Sequence, residues 1–151
     1  MHRHGGGHFY LNATAEALRR GDRKVGTEHV LLALLEDPGG APARALAEQG
    51  VDRDAARAAL TTVDERALAT VGVRAHMRED ALAGRSEDRL PLTPAAKALF
   101  RGWRAAAGTE SPAPHHLLRA LTGHRRPDPA AVLLDALGVD RTALCARLGR
   151  P

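Results

Sequence analysis

Apolar residues recur along the chain at helical spacing, in short runs cut by glycine and proline. Phe9, Leu11, Ala13, Ala15, Ala17 and Leu18 predict a helix over 9–20. Gly21-Asp22 should close it, because glycine takes the left-handed C-terminal cap without a Cβ clash. Thr27 reads as the N-cap of a second helix, with Glu28 and His29 in its first turn and Val30, Leu31, Leu34 and Leu35 on one face. Asp37-Pro38-Gly39-Gly40 breaks it. Pro42 suits the first turn of a third helix, with Ala45 and Leu46 facing inward and Gly50 as its stop. A fourth helix is predicted over 53–69. Residues 71–91 carry two glycines, several charges and little periodicity, and read as a linker. The pattern reopens at Leu90-Pro91-Leu92-Thr93-Pro94, with Thr93 as cap and Pro94 in the first helical position. Helices are predicted over 94–107, 115–122, 129–137 and 141–148, punctuated by Gly108, Gly123, Pro127 and Gly138. No alternating β-pattern of useful length occurs. The three glycines before His8 make residues 1–8 a flexible tail.

The chain repeats itself. Gly50-Val51-Asp52 recurs as Gly138-Val139-Asp140, each between two apolar helical runs, and Thr27–Leu34 is echoed by Pro114–Leu121. Each Gly-Val-Asp should do three things. Glycine takes a positive-φ cap, valine packs back on the preceding turn, and aspartate caps the next helix. The expected fold is all-α, with two pseudo-symmetric four-helix repeats, residues 9–70 and 92–148, joined by 71–91. Duplicated helical units more often bind other proteins than catalyse.

Composition narrows the picture further. At 151 residues the chain is one domain's worth. It is 44% apolar but 3% aromatic, which suits closely packed helices with few large anchors. Lysine and arginine number 22 against 18 acids, and Lys24 and Lys97 are the only lysines. An arginine excess can mark an anion site or simply a GC-rich coding sequence. The single Cys145 excludes an internal disulfide and a cysteine-only zinc site, and sits among Leu144, Ala146 and Leu148 as a small apolar residue would. The first residues lack the apolar stretch of a signal peptide, and no run reaches the roughly 20 apolar residues that span a bilayer. The expected compartment is the cytoplasm, with no membrane partner.

Gly26-Thr27-Glu28-His29-Val30-Leu31-Leu32-Ala33-Leu34-Leu35, the entry Leu90–Lys97 and the two Gly-Val-Asp turns together resemble the N-terminal repeat domain of Clp-type AAA+ unfoldases, especially ClpC. The resemblance spans about residues 9–148. It implies a compact pseudo-twofold domain that receives substrates and adaptors. The sequence has no Gly-x-x-x-x-Gly-Lys-Ser/Thr phosphate loop, so ATP hydrolysis is not expected of it. The resemblance further implies partners among the clients, adaptors or unfoldase of a Clp protease. It also implies cyclic-peptide natural products that target such domains, either delivered or sequestered.

In ClpC-like domains a glutamate in each Gly-Thr-Glu-His element holds the guanidinium of phosphoarginine, and a threonine opening each repeat helps hold its phosphate. By that resemblance the ligand-binding candidates are Glu28, Thr27, Thr93, His115 and Leu92. Glu28 matches the first glutamate, whereas its counterpart, His115, offers no carboxylate. Thr93 matches the second threonine, and the first has no counterpart. Leu92 stands where the family places a groove-lining aromatic, and Phe9 is the nearest match in the first repeat. Glu28 has a plainer reading as a first-turn acid that favours the helix dipole, worth about 0.3–1 kcal/mol. His29 and His116, at equivalent positions, read as packed residues.

Other chemistries are weaker. His2, His4 and His8 are separated by glycines with no carboxylate or cysteine nearby, and His115-His116 with His124 do not share a helical face, so no metal site is expected. Arg101, Trp103, Arg104, Arg125 and Arg126 suggest a phosphate-and-stacking patch for nucleic acid, opposed by the dispersed acids and the single tryptophan. No nucleophile–base signature, metal spacing or cofactor loop appears. No cofactor and no enzymatic activity are expected.

Overall fold

The computed structural model describes residues 6–71, 90–109 and 112–149. Eight helices follow one another: α1 (Gly6–Arg20), α2 (Thr27–Leu34), α3 (Ala41–Ala47), α4 (Arg53–Val71), α5 (Pro94–Ala107), α6 (Pro114–Thr122), α7 (Pro129–Ala136) and α8 (Arg141–Leu148). Residues 6–8, expected to belong to a tail, lie in α1, which begins at Gly6. Phe9, buried against Trp103, anchors that turn, and the His8 ring meets Phe9 edge-on at 5.6 Å. His2, His4 and most of the expected linker lie outside the described residues.

The two Gly-Val-Asp turns are the same object. Gly50 and Gly138 have φ of 78° and 69°. Val51 N–H donates to Leu46 O at 3.0 Å and Val139 N–H to Leu134 O at 3.1 Å, the six-to-one bond of a Schellman cap. Asp52 then accepts from Ala55 N at 2.7 Å and Asp140 from Ala143 N at 3.0 Å, starting α4 and α8. Thr93 caps α5 as its sequence suggests, accepting from Ala96 N at 3.2 Å.

The repeats are interleaved rather than set side by side. The third helix of each packs on the other repeat: α3 meets α6 and α8, and α7 meets α2 and α4. The Gln49 amide seals one such contact, donating to Asp140 O at 3.1 Å and accepting from Asp140 N at 2.8 Å. This arrangement surrounds α2 with α1, α4, α5, α6 and α7. As a result α2 buries Thr27 and every residue from His29 to Leu34, not the single stripe its spacing suggests. Across the domain Glu16, on α1, is held by Arg57 of α4 and by Arg19 at 3.3 Å, an ion pair with the carboxylate buried. Burial alone would raise its pKa. The guanidinium of Arg57, bound through Nε and Nη2, and that of Arg19 outweigh burial and hold Glu16 below the ordinary glutamate value.

Candidate functional site

One backbone contact organises the candidate residues. Val25 N–H donates to Pro91 O at 2.8 Å, and Thr93 N–H donates to Val25 O at 2.9 Å, a one-residue parallel bridge between Val25 and Leu92. Helices α2 and α5 begin immediately after the bridged residues, so their N-termini start side by side. The bridge therefore sets Leu92 and Thr93 beside the start of α2, whose first turn carries Glu28. Buried Leu90, and Pro91 through its carbonyl bond from Val25 N, make the end of the expected linker part of the packed fold.

Glu28 is the unusual group here. Its side chain is 17% exposed, and Oε1 is buried with no hydrogen-bond partner. The carboxylate folds back over Gly26, where a Cβ would stand 1.9 Å from Oε1, so the glycine leaves the space the carboxylate fills. Burial raises the Glu28 pKa above the ordinary value, and Asp22 and Asp64 push the same way. Neighbouring His29 and the residue's own backbone N–H oppose them only in part. A guanidinium or ammonium group reaching this carboxylate would relieve both penalties.

Thr27 is not the N-cap of α2. Gly26 holds that position, and His29 supplies the cap, with Nδ1 accepting from Gly26 N at 2.9 Å. That bond leaves the proton on Nε2, which lies 2.8 Å from Asp22 Oδ2. His29 is thus the packed residue its sequence suggests, and it ties the α1–α2 loop together. Thr27 is fully buried and turns inward, donating to Asp128 Oδ2 at 2.9 Å and accepting from Ala130 N at 3.2 Å. His115 lies half-buried at the start of α6 against exposed His116, their rings 4.0 Å apart. Burial, His116 and Arg119 lower its pKa, in that order, which favours a neutral ring. The expected equivalence of His29 and His116 fails, because Ala113 caps α6 without a side-chain bond and His116 has no loop to hold.

Beside the bridge lies an open groove of about 310 Å³ between α1 and α5, lined by Tyr10, Leu92, Phe100 and the cationic Lys97, Arg101 and Arg104. Its aromatic from α1 is Tyr10 rather than Phe9. Phe9 packs in the core against Trp103, while Tyr10 stays half-buried and donates to Leu90 O at 2.6 Å. Sequence reading missed Tyr10, Phe100 and Lys97 as groove residues. Positions 97, 101 and 104 fall on one helical face, a spacing visible in the sequence once α5 is assigned. Trp103, on the opposite side, is 3% exposed and donates to Ala113 O at 2.8 Å, so it presents no face for stacking.

The family description Clp repeat (R) N-terminal domain matches residues 11–108. The chain belongs to this family. The match takes in the first repeat, the bridge and α5, and the matching turns carry the same architecture through α8. Among curated proteins none matches the chain. Clp N domains are binding modules for substrate proteins and adaptors rather than catalysts, and the 151 residues include no ATPase module. Among the described residues, no helix is long and apolar enough to cross a membrane.

Proposed function

We propose that this Clp N domain receives protein segments for a cytoplasmic Clp protease system, as a carrier of clients or adaptors or as a decoy that sequesters ligands of the unfoldase. The observation that carries this reading is the apolar-floored groove beside paired helix N-termini, with Leu92 and Thr93 on one edge and Glu28 in the first turn of the neighbouring α2. The phosphoarginine reading rests on the same edge. Glu28 would take the guanidinium, and the Thr93 hydroxyl with the α5 N-terminus would take phosphoryl oxygens. Thr27 has no part in it, since both sides of its hydroxyl are occupied. Nor does His115, which lies on α6. Titration calorimetry with phosphoarginine, against arginine and phosphate separately, tests the site. Selective binding weakened by Glu28→Ala supports it, and equal heats from all three remove it. Affinity capture from lysate tests the wider role. Failure of the intact domain to enrich any Clp component or client above a Leu92→Asp control would sink the proteostasis reading.

A nucleic-acid role is the alternative. It has lost its stacking residue to the core at Trp103, and Arg126 is paired with Asp135 at 2.9 Å. A gel shift that weakens steeply with salt would restore it.

A further inference from the structure

The groove's walls differ sharply in charge from the rest of the domain. Elsewhere the arginines that cross between elements are neutralised: Arg57 by Glu16, Arg141 by Asp135 and Arg147 by Glu48. Helix α5 contains no acidic residue at all. Its Lys97, Arg101 and Arg104 are exposed, line the groove together, and have no carboxylate partner among the described residues. The acid of α1 nearest in kind, Glu16, is already committed to Arg57 and Arg19. The outer two cations are seven positions apart on the helix, about 10 Å of rise, beside a floor made by Tyr10, Leu92 and Phe100.

We infer that the groove selects acidic segments of partner proteins, in which carboxylates flank one bulky apolar side chain. The apolar side chain enters the floor, and the carboxylates meet Lys97, Arg101 and Arg104. An extended chain covers about 10 Å in three residues, so acids on both sides of a central phenylalanine or leucine match the row of cations. Guanidinium forks at Arg101 and Arg104 suit carboxylates bidentately. Apolar burial supplies affinity, and the row of charges supplies discrimination. This deepens the proposed role, since it rests on the groove being the receiving surface and adds which segments it receives.

The test uses the full chain and two short peptides bearing an uncharged dye. One has a central phenylalanine flanked by aspartate and glutamate. The other replaces those acids by asparagine and glutamine. Fluorescence anisotropy at low salt is expected to show the acidic peptide binding about tenfold tighter or more, roughly 1.4 kcal/mol, with the difference shrinking as salt screens it. Arg101→Glu with Arg104→Glu should erase the preference for the acidic peptide over the amide one. Both side chains are exposed and have no ion-pair partner among the described residues, so an unchanged melting curve should confirm folding. Equal binding of the two peptides, or a preference that survives the double charge reversal, overturns the inference while leaving the groove as a receptor. Failure of both peptides to bind overturns the groove as well. Binding of a short oligothymidylate in place of the acidic peptide assigns the cations to nucleic acid. Charge-dependent self-association in sedimentation, lost on the same reversal, assigns the groove to a second copy. Either result overturns the inference.

Discussion

Thr27 Oγ1 donates to Asp128 Oδ2 at 2.9 Å, joining the first turn of α2 to the cap of α7 across the boundary between repeats. The same carboxylate oxygen accepts from Ala130 N at 3.1 Å and lies 3.2 Å from His124 Nδ1. The threonine hydroxyl accepts from Ala130 N in turn. The two side chains therefore saturate one helix start from both repeats at once. Thr27→Val keeps the shape but removes the donor and leaves part of this buried set unpaired. The expected cost is about 1–3 kcal/mol, read from urea unfolding. A change within about 0.5 kcal/mol, the range of ordinary surface substitutions, would show that the hydroxyl is not a structural link.

Gly50→Ala and Gly138→Ala should cost nearly the same. Both positions have positive φ and both lie in open space, with no atom within 4 Å of an added Cβ. The penalty is then the backbone term alone, about 1–2 kcal/mol for a left-handed residue with a Cβ. Parallel melts of the two variants check it. Unequal losses would mean that the repeated turns, alike in their hydrogen bonds, differ in how they are loaded.

Local features of the chain proved readable and its assembly did not. The Thr93 cap, the Pro94 start and both Gly-Val-Asp turns depend on residues a few positions apart, and capping chemistry at that range leaves few alternatives. Thr27 was misread for the same reason: its neighbours make a good N-cap, but a partner 101 residues away claims its hydroxyl. The all-round burial of α2 and the exposure of His116 likewise follow from which helices surround them. The bridge that sets Leu92 and Thr93 beside the start of α2 rests on backbone atoms, which leave little trace in side-chain identity. Tyr10 and Phe9 show the limit of pattern reading. One of two adjacent aromatics had to face the core, and only the position of Trp103 decides which.

Interleaving makes a strong demand on fragments. Helix α3 packs on α6 and α8, and α7 on α2 and α4. A fragment ending at Val71 would expose the inner faces of α2 and α3 and lose the Gln49–Asp140 clamp. It is expected to show no cooperative unfolding by circular dichroism, and to gain structure when residues 90–149 are supplied in trans. A sharp, independent melt of the fragment alone would show that a single repeat is a self-sufficient unit.

Acid should remove the stability that Glu16 contributes. Its pKa in the folded protein lies below the ordinary value of 4.5, because Arg57 and Arg19 outweigh the opposing effect of burial. The unfolded chain therefore binds the proton more readily. The pair's contribution is fully present above pH 4.5 and is lost as pH falls through the lower, folded value. Glu16→Gln should lower stability at neutral pH by about 1–3 kcal/mol and flatten the acid limb of the stability profile. Guanidinium chloride midpoints would mask this through ionic strength, so urea titrations from pH 7 to the acid range are the suitable measurement. An acid limb as steep in the variant as in the parent would place the acid sensitivity elsewhere.

Glu28 should behave in the opposite sense, and the contrast separates its two roles. Burial, with Asp22 and Asp64, raises its folded pKa, so the native state holds the proton more tightly than the unfolded chain does. Stability then falls as pH rises from 4.5 through the raised value, so Glu28 favours the folded state less at higher pH than in acid. Glu28→Gln removes that charge and keeps the shape, so at pH 7 the variant should be more stable than the parent. The gap should close as pH falls below 4.5, where both side chains are neutral. If the carboxylate served only the α2 dipole, the same change would cost about 0.3–1 kcal/mol instead. Paired urea titrations at neutral and acid pH decide between the two signs. Under the proposed role of Glu28 in holding a ligand's guanidinium, the Glu28→Gln protein should also be the one that no longer distinguishes phosphoarginine from phosphate.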